Sequence, residues 1–189
     1  MSADILPLPD TKLVREALAS VGRVLPEPVL RHSMRAFHLG SAYARAKGRD
    51  HDEEGLCLAA IFHDLGLIPE HRVAGKPFTF GGSRSLASFL EARDVPRERI
   101  APLVDAIDLH LQLFPRWSKG NIVGLMQVGA WMDVYGLRRG AIRTEAARIA
   151  ELLPRGDFTT LFHRSFISSL RSPSACIGLL FPEPFAASA

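Results

Sequence analysis

The stretch Leu58-Ala59-Ala60-Ile61-Phe62-His63-Asp64-Leu65-Gly66-Leu67 constrains this chain more than any other. It is apolar enough to be interior, yet it carries two adjacent side chains that both ligate metals. An ionised Asp taken out of water costs several kcal/mol unless it is compensated, and a divalent cation is the most effective compensation. Adjacent helical residues point about 100° apart. The pair therefore suits a helix end, where the backbone can splay, and Gly66 offers a stop through the left-handed conformation that glycine accepts at little cost. A cation there would also meet the negative end of the helix dipole. A solvated His and Asp at a helix end is the plainer reading. The apolar residues on both sides argue against it.

The rest of the sequence reads as helices, with no useful stretch of period-two alternation, and the expected fold is all-α, a compact helical bundle. Thr11 is a candidate N-cap for a first helix carrying Leu13, Val14, Ala17, Leu18, Val21 and Leu25, closed by Pro26 and Pro28. A second helix is expected from about Val29 to Lys47 and a third from about Asp52 to Leu65, with acidic residues in its first turn where the dipole favours them. Between Gly66 and Gly82, Pro69, Gly75, Pro77 and the Gly81-Gly82 pair predict a long irregular segment, a lid or a substrate-binding wall. Ser83 is expected to cap a short helix to about Arg93, and Pro96 to open the next, with Ile100, Leu103, Ile107, His110 and Leu111 on one face. Further helices are expected from Asn121 to Tyr135, from Thr144 to just before Pro154, and from Phe158 to Leu170. This makes one domain over residues 11–171, with an N-terminal extension at 1–10 and an extended tail at 172–189.

At 189 residues, such a domain buries about 70% of the surface its unfolded chain would expose. No apolar stretch approaches the roughly 20 residues of a membrane span. Residues 1–10 lack the basic start and long apolar core of a signal peptide. Cys57 and Cys176 suggest no disulfide framework, and a cytoplasmic location is expected. The net charge of +3 comes from scattered basic residues. No dense basic stripe with interleaved aromatics appears, so no nucleic-acid partner is expected. The expected partner is a small-molecule substrate, without a membrane, and the second helix offers a face for a homo-oligomer.

Three more polar residues lie on the apolar stripes of their helices: His32, His110 following Leu103 and Ile107, and Asp133 following Met126 and Ala130. Taken singly, each suits a hydrogen-bonded core residue better than a ligand. With His63 and Asp64 they make three imidazoles and two carboxylates from four helices, the kind of set from which a helical bundle builds a metal site in its core. His38, His51, His71 and His163 read instead as surface or loop residues, and Trp131 and Phe62 as core or pocket wall.

The order His32, His63-Asp64, Asp133 resembles the H…HD…D pattern of the HD-domain metal-dependent hydrolases. Four further segments resemble the cyanamide hydratase-like branch: His32-Ser33-Met34-Arg35, Phe78-Thr79-Phe80-Gly81-Gly82, Asp105-Ala106-Ile107-Asp108-Leu109-His110, and Gly129-Ala130-Trp131-Met132-Asp133-Val134. The resemblance spans about Val29 to Gly140. It implies a compact helical bundle in which His32, His63, Asp64 and Asp133 ligate a metal and His110 stands beside it. The chain departs from the branch at Thr79-Phe80, where an acidic residue is usual, and at Leu111, where a small polar residue is usual. Both positions belong to the implied pocket wall.

Two imidazoles and two carboxylates suit zinc, and iron, manganese or cobalt accept the same set. Zinc lowers the pKa of a bound water to about 7. The expected activity is a hydrolase or hydratase that adds this water to a small substrate, such as a cyanamide- or nitrile-like C–N compound. Asp64 would move the proton, His110 would orient substrate or water, and Arg35 would brace a ligand or the pocket. One alternative is a phosphohydrolase acting on a small phosphate ester or nucleotide, with Arg72 and Arg84 meeting phosphate. Another is a non-catalytic module that binds a small molecule and keeps the metal as a structural element.

Overall fold

Helix α3 (Glu53–Phe62) lies at the centre of the molecule, with every residue from Gly55 to Phe62 buried. The computed structural model describes residues 6–161. Within them run α1 (Lys12–Val21), α2 (Glu27–Ala46), α3, α4 (Phe78–Glu91), α5 (Arg97–Leu109), α6 (Asn121–Tyr135) and α7 (Arg143–Leu152), joined by short 3-10 turns and with no strand among the described residues. The fold is all-α. No helix among these residues is long and apolar enough to cross a membrane.

Local chemistry sets several helix starts. The Thr11 hydroxyl accepts from the Val14 amide at 3.2 Å and the Asp52 carboxylate from the Gly55 amide at 2.9 Å, each satisfying a donor that the first helical turn leaves open. Pro28 sits in the first turn of α2, where its missing N–H costs nothing. Helix α6 is apolar nearly all round and buried from Val123 to Ala130, as a helix enclosed by others must be. It ends at Gly136, whose φ of 70° is the left-handed cap that closes it.

The most extensive helix pairing among the described residues is α2 against α6. Its small residues bring the two backbones together: a Cβ on Gly129 would stand 2.1 Å from the Ala36 carbonyl oxygen, and one on Gly40 would stand 3.0 Å from that of Leu125. Ala36 faces Gly129 and Gly40 faces Leu125, so the helices run antiparallel in steps of four residues. One further step brings His32 opposite Asp133. Leu39, Val128, Met132, Ile142 and Ile149 form a second apolar layer where α7 closes over this pair.

The region after α3 differs from expectation. Helix α3 ends at Phe62, not near Leu65, and His63 and Asp64 lie in the turn leading to a 3-10 segment, Leu65–Leu67. Gly66 is not among the left-handed glycines. Its need for glycine is contact, because a Cβ there would lie 1.8 Å from the Phe78 carbonyl oxygen. The irregular segment expected up to Gly82 is also shorter. Helix α4 begins at Phe78, with the Gly81-Gly82 pair inside its first turns. Added Cβ atoms on these two would meet the carbonyl oxygens of His71 at 2.2 Å and Phe62 at 2.5 Å. Three glycines thus let the His63-Asp64 turn and the start of α4 pack backbone against backbone. Residues 158–161 are helical where a helix from Phe158 is expected; the rest of that expected span and the expected tail lie outside the described residues, as do His163 and Cys176.

Candidate metal centre

Each candidate residue is delivered by a different piece of the fold. Helix α2 carries His32 and Arg35, the turn after α3 carries His63 and Asp64, the end of α5 carries His110, and α6 carries Asp133. All are interior, at 0–2% exposure. Ligand atoms of His32, His63 and Asp64 converge within 4.8 Å of one another, a group that could hold a metal ion.

Two of the imidazoles have a nitrogen assigned by its partner. His63 Nδ1–H donates to the Ala60 carbonyl at 2.7 Å, and His110 Nδ1–H donates to the Ile107 carbonyl at 2.6 Å. A carbonyl can only accept, so the neutral rings carry their lone pairs on Nε2. Burial, followed by the neighbouring His32, pushes His63 down to about 3. Burial, followed by His63, does the same to His110. Both rings are therefore held neutral. His32 Nδ1 faces Asp133 Oδ2 at 2.6 Å, and His32 Nε2 faces His63 Nε2 at 3.1 Å. If neutral His32 donates its Nδ1–H to the carboxylate, two lone pairs meet at that second contact. The geometry calls for positive charge there, either a second proton on His32 or a metal cation.

Asp64 makes the same demand. Both of its carboxylate oxygens are buried without a hydrogen-bond partner. Burial raises its pKa, and the His32 and His110 rings only partly oppose this. Its Oδ2 lies 3.4 Å from His63 Nε2 and 3.6 Å from His32 Nε2. Two ligands about 2.0–2.2 Å from a tetrahedral zinc stand roughly 3.3–3.6 Å apart. The two edges to Asp64, 3.4 and 3.6 Å, match one face of such a polyhedron, and the His32–His63 edge, at 3.1 Å, is shorter and would open slightly around an ion.

Asp133, expected as a fourth ligand, is outside the converging group. Arg35 donates to it twice, Nε to Oδ1 at 2.8 Å and Nη2 to Oδ2 at 2.9 Å, and His32 Nδ1 takes up Oδ2 as well. Burial would raise this carboxyl, but the hydrogen bonds from His32 and Arg35 outweigh it and hold the group well below the usual carboxylate range. Asp133 is therefore placed to fix the tautomer and orientation of His32 from behind. Arg35 spends its remaining nitrogen on the Leu153 and Pro154 carbonyls. It braces Asp133 and the chain after α7, and it does not face the converging group directly.

His110 sits beside the group, its ring edge-on to His63 with centroids 4.9 Å apart. Trp131 Nε1 donates to the His110 carbonyl at 3.0 Å, giving this half-buried tryptophan a fixing role as well as a packing one. Phe62 is core and packs against Phe89. Phe158 was not foreseen at the site: it stacks on His32 at 4.2 Å with an interplanar angle of 15° and lies 5.6 Å from the Arg35 guanidinium carbon. No local pattern announces such a contact, since the partners are far apart in the chain. His51 and His71 are half-buried and outside the group, but His38, expected at the surface, is buried in α2. Arg72 and Arg84 line a cavity of about 570 Å³ with His71 and Ser85, and neither the site imidazoles nor Asp64 line it. No family model matches this chain, and no curated protein matches it.

Proposed function

We propose that the chain is an HD-class metal-dependent hydrolase or hydratase. The observation that carries this reading is the buried His32–His63–Asp64 triangle, with edges of 3.1–3.6 Å and with both Asp64 oxygens left without protein hydrogen-bond partners. A divalent cation, zinc by preference, would supply Lewis acidity and a water ionising near about pH 7. Asp64 holds a second oxygen available to take and return a proton. His110 Nε2 offers an acceptor for a substrate N–H or a water proton. The Arg35–Asp133–His32 chain fixes the His32 tautomer throughout, and the sealed surroundings exclude bulk solvent. The substrate class we favour is a small C–N compound of the cyanamide or nitrile type, which would gain water across its multiple bond.

Elemental analysis of the purified protein, run beside assays with cyanamide, small nitriles and nucleoside monophosphates, tests the reading. Stoichiometric metal with urea or amide release is the expected result, and His63→Ala and Asp64→Ala should each lose both. Phosphate release would favour a phosphohydrolase instead. Full activity of the metal-free wild-type protein would overturn the proposal.

A further inference from the structure

A second cavity, of about 260 Å³, opens between α2, α6 and α7. Asp133 and three arginines, Arg35, Arg139 and Arg155, supply its polar wall, and Leu39 and Ile149 contribute to its apolar side. His32, His63, Asp64 and His110 do not line it. Three guanidinium groups share this wall with one carboxylate, which leaves two positive charges in excess in a recess where solvent screens them less than at an open surface.

The hydrogen bonds show which of these cations is already committed. Arg35 is used up by Asp133 and by the Leu153 and Pro154 carbonyls. Arg139 sends Nε to the Met132 carbonyl at 3.0 Å and Nη2 to the Asp133 carbonyl at 3.4 Å, at the end of α6. Arg155 Nη2 lies 3.5 Å from Asp133 Oδ1 and is buried without a hydrogen-bond partner. Asp133 pairs with Arg155 as well as Arg35, but its single negative charge cannot balance both guanidinium groups. A guanidinium nitrogen turned away from water without a hydrogen bond is costly even where the rest of the side chain is exposed, and an oxyanion is the ligand whose geometry a guanidinium fork matches best.

We propose that this cavity binds a small oxyanion, a phosphate or carboxylate group, held by Arg139 and Arg155. The apolar wall leaves room for the organic part of such a ligand. The cavity is separate from the His32–His63–Asp64 triangle, although Arg35 and Asp133, which hold His32 from behind, form part of its wall.

Calorimetric titration of the purified full-length protein with inorganic phosphate, and in parallel with acetate, at ionic strength held constant with sodium chloride, tests this. The expected result is saturable binding of at least one of the two, and which one binds distinguishes a phosphate group from a carboxylate. Arg155→Gln and Arg139→Gln should each raise the half-saturating concentration about tenfold. Should Arg139→Gln fail to fold, Arg155→Gln still carries the test, since the Arg155 side chain is 38% exposed. Arg97→Gln, exposed at the start of α5, should leave binding unchanged. Three results would overturn the proposal: no saturable response to either anion, the same response in Arg155→Gln as in wild type, or a response lost in Arg97→Gln but retained in Arg155→Gln.

Discussion

Asp133 touches the converging group only through His32. Its Oδ2 lies 2.6 Å from His32 Nδ1, while His32 Nε2 turns towards His63 and Asp64. A carboxylate behind a ligating imidazole tunes metal affinity without setting it outright. Asp133→Asn is therefore expected to weaken metal binding about 10- to 100-fold, measured by competition with a chelator of known affinity. His63→Ala should instead lose stoichiometric metal. If the two variants lost metal equally, Asp133 would be a ligand in its own right.

Gly66→Ala should be among the most damaging conservative changes in the molecule. The new methyl would lie 1.8 Å from the Phe78 carbonyl oxygen, and backbone at that spot cannot give way without moving α4. A loss above about 4 kcal/mol, or failure to fold, is expected. Gly75→Ala is the control. Nothing lies within 4 Å of its added methyl, and only its φ of +73° resists, so the cost should be about 1 kcal/mol. Urea unfolding midpoints for the two variants separate a steric cause from a conformational one.

His38 gives the protein an acid-sensitive stability. Burial, reinforced by the Arg45 charge, lowers its pKa to about 4 from an ordinary value of 6.5. Below pH 6.5 the unfolded chain takes up a proton that the folded chain refuses, so stability falls as pH drops from 6.5 towards 4. The effect is fully expressed once the folded group also titrates. Its full size is about 3 kcal/mol. His38→Leu should flatten that part of the stability–pH curve, measured by denaturant titration from pH 7.5 to 4. An unchanged slope would place the titrating groups elsewhere, at His63 and His110.

Phe158 covers one face of His32. Phe158→Ala should shorten the time a chelator needs to strip the metal by about tenfold or more, with a stability loss of about 3–5 kcal/mol. Stopped-flow exchange into a coloured chelator, under conditions where circular dichroism shows the variant still folded, reads the first effect apart from the second.

Much of this architecture was legible in the chain because local chemistry decides it. Helix α6 runs from Asn121 to Tyr135 as expected, since Gly120 and Gly136 bracket an unbroken apolar segment. Thr11 caps α1 as its hydroxyl predicts. The misplaced boundaries around the turn after α3 share one cause, glycines taken as breaks where they serve packing. Gly81 and Gly82 lie within α4, and Gly66 lies in a 3-10 turn, each bare because another segment's carbonyl presses on it. Among the site residues, His32, His63, Asp64, His110 and Asp133 stood out as polar groups on apolar stripes. Their division into a converging trio, a flanking imidazole and a supporting carboxylate was not legible, because it depends on which ring nitrogen faces which neighbour. Arg155 and Phe158 carried no signal at all, since both reach the site from beyond α7.

The pairing of His32 with Asp133, Ala36 with Gly129 and Gly40 with Leu125 has a consequence for how this sequence can drift. Residues may be gained or lost in the connections between Lys47 and Gly120 without disturbing that ladder, provided the helices still dock. A single insertion or deletion inside 32–40 or 125–133 turns every later rung by about 100° and parts the imidazole from its carboxylate. Length variation among descendants of this chain should therefore collect in the connections and spare those two nine-residue windows.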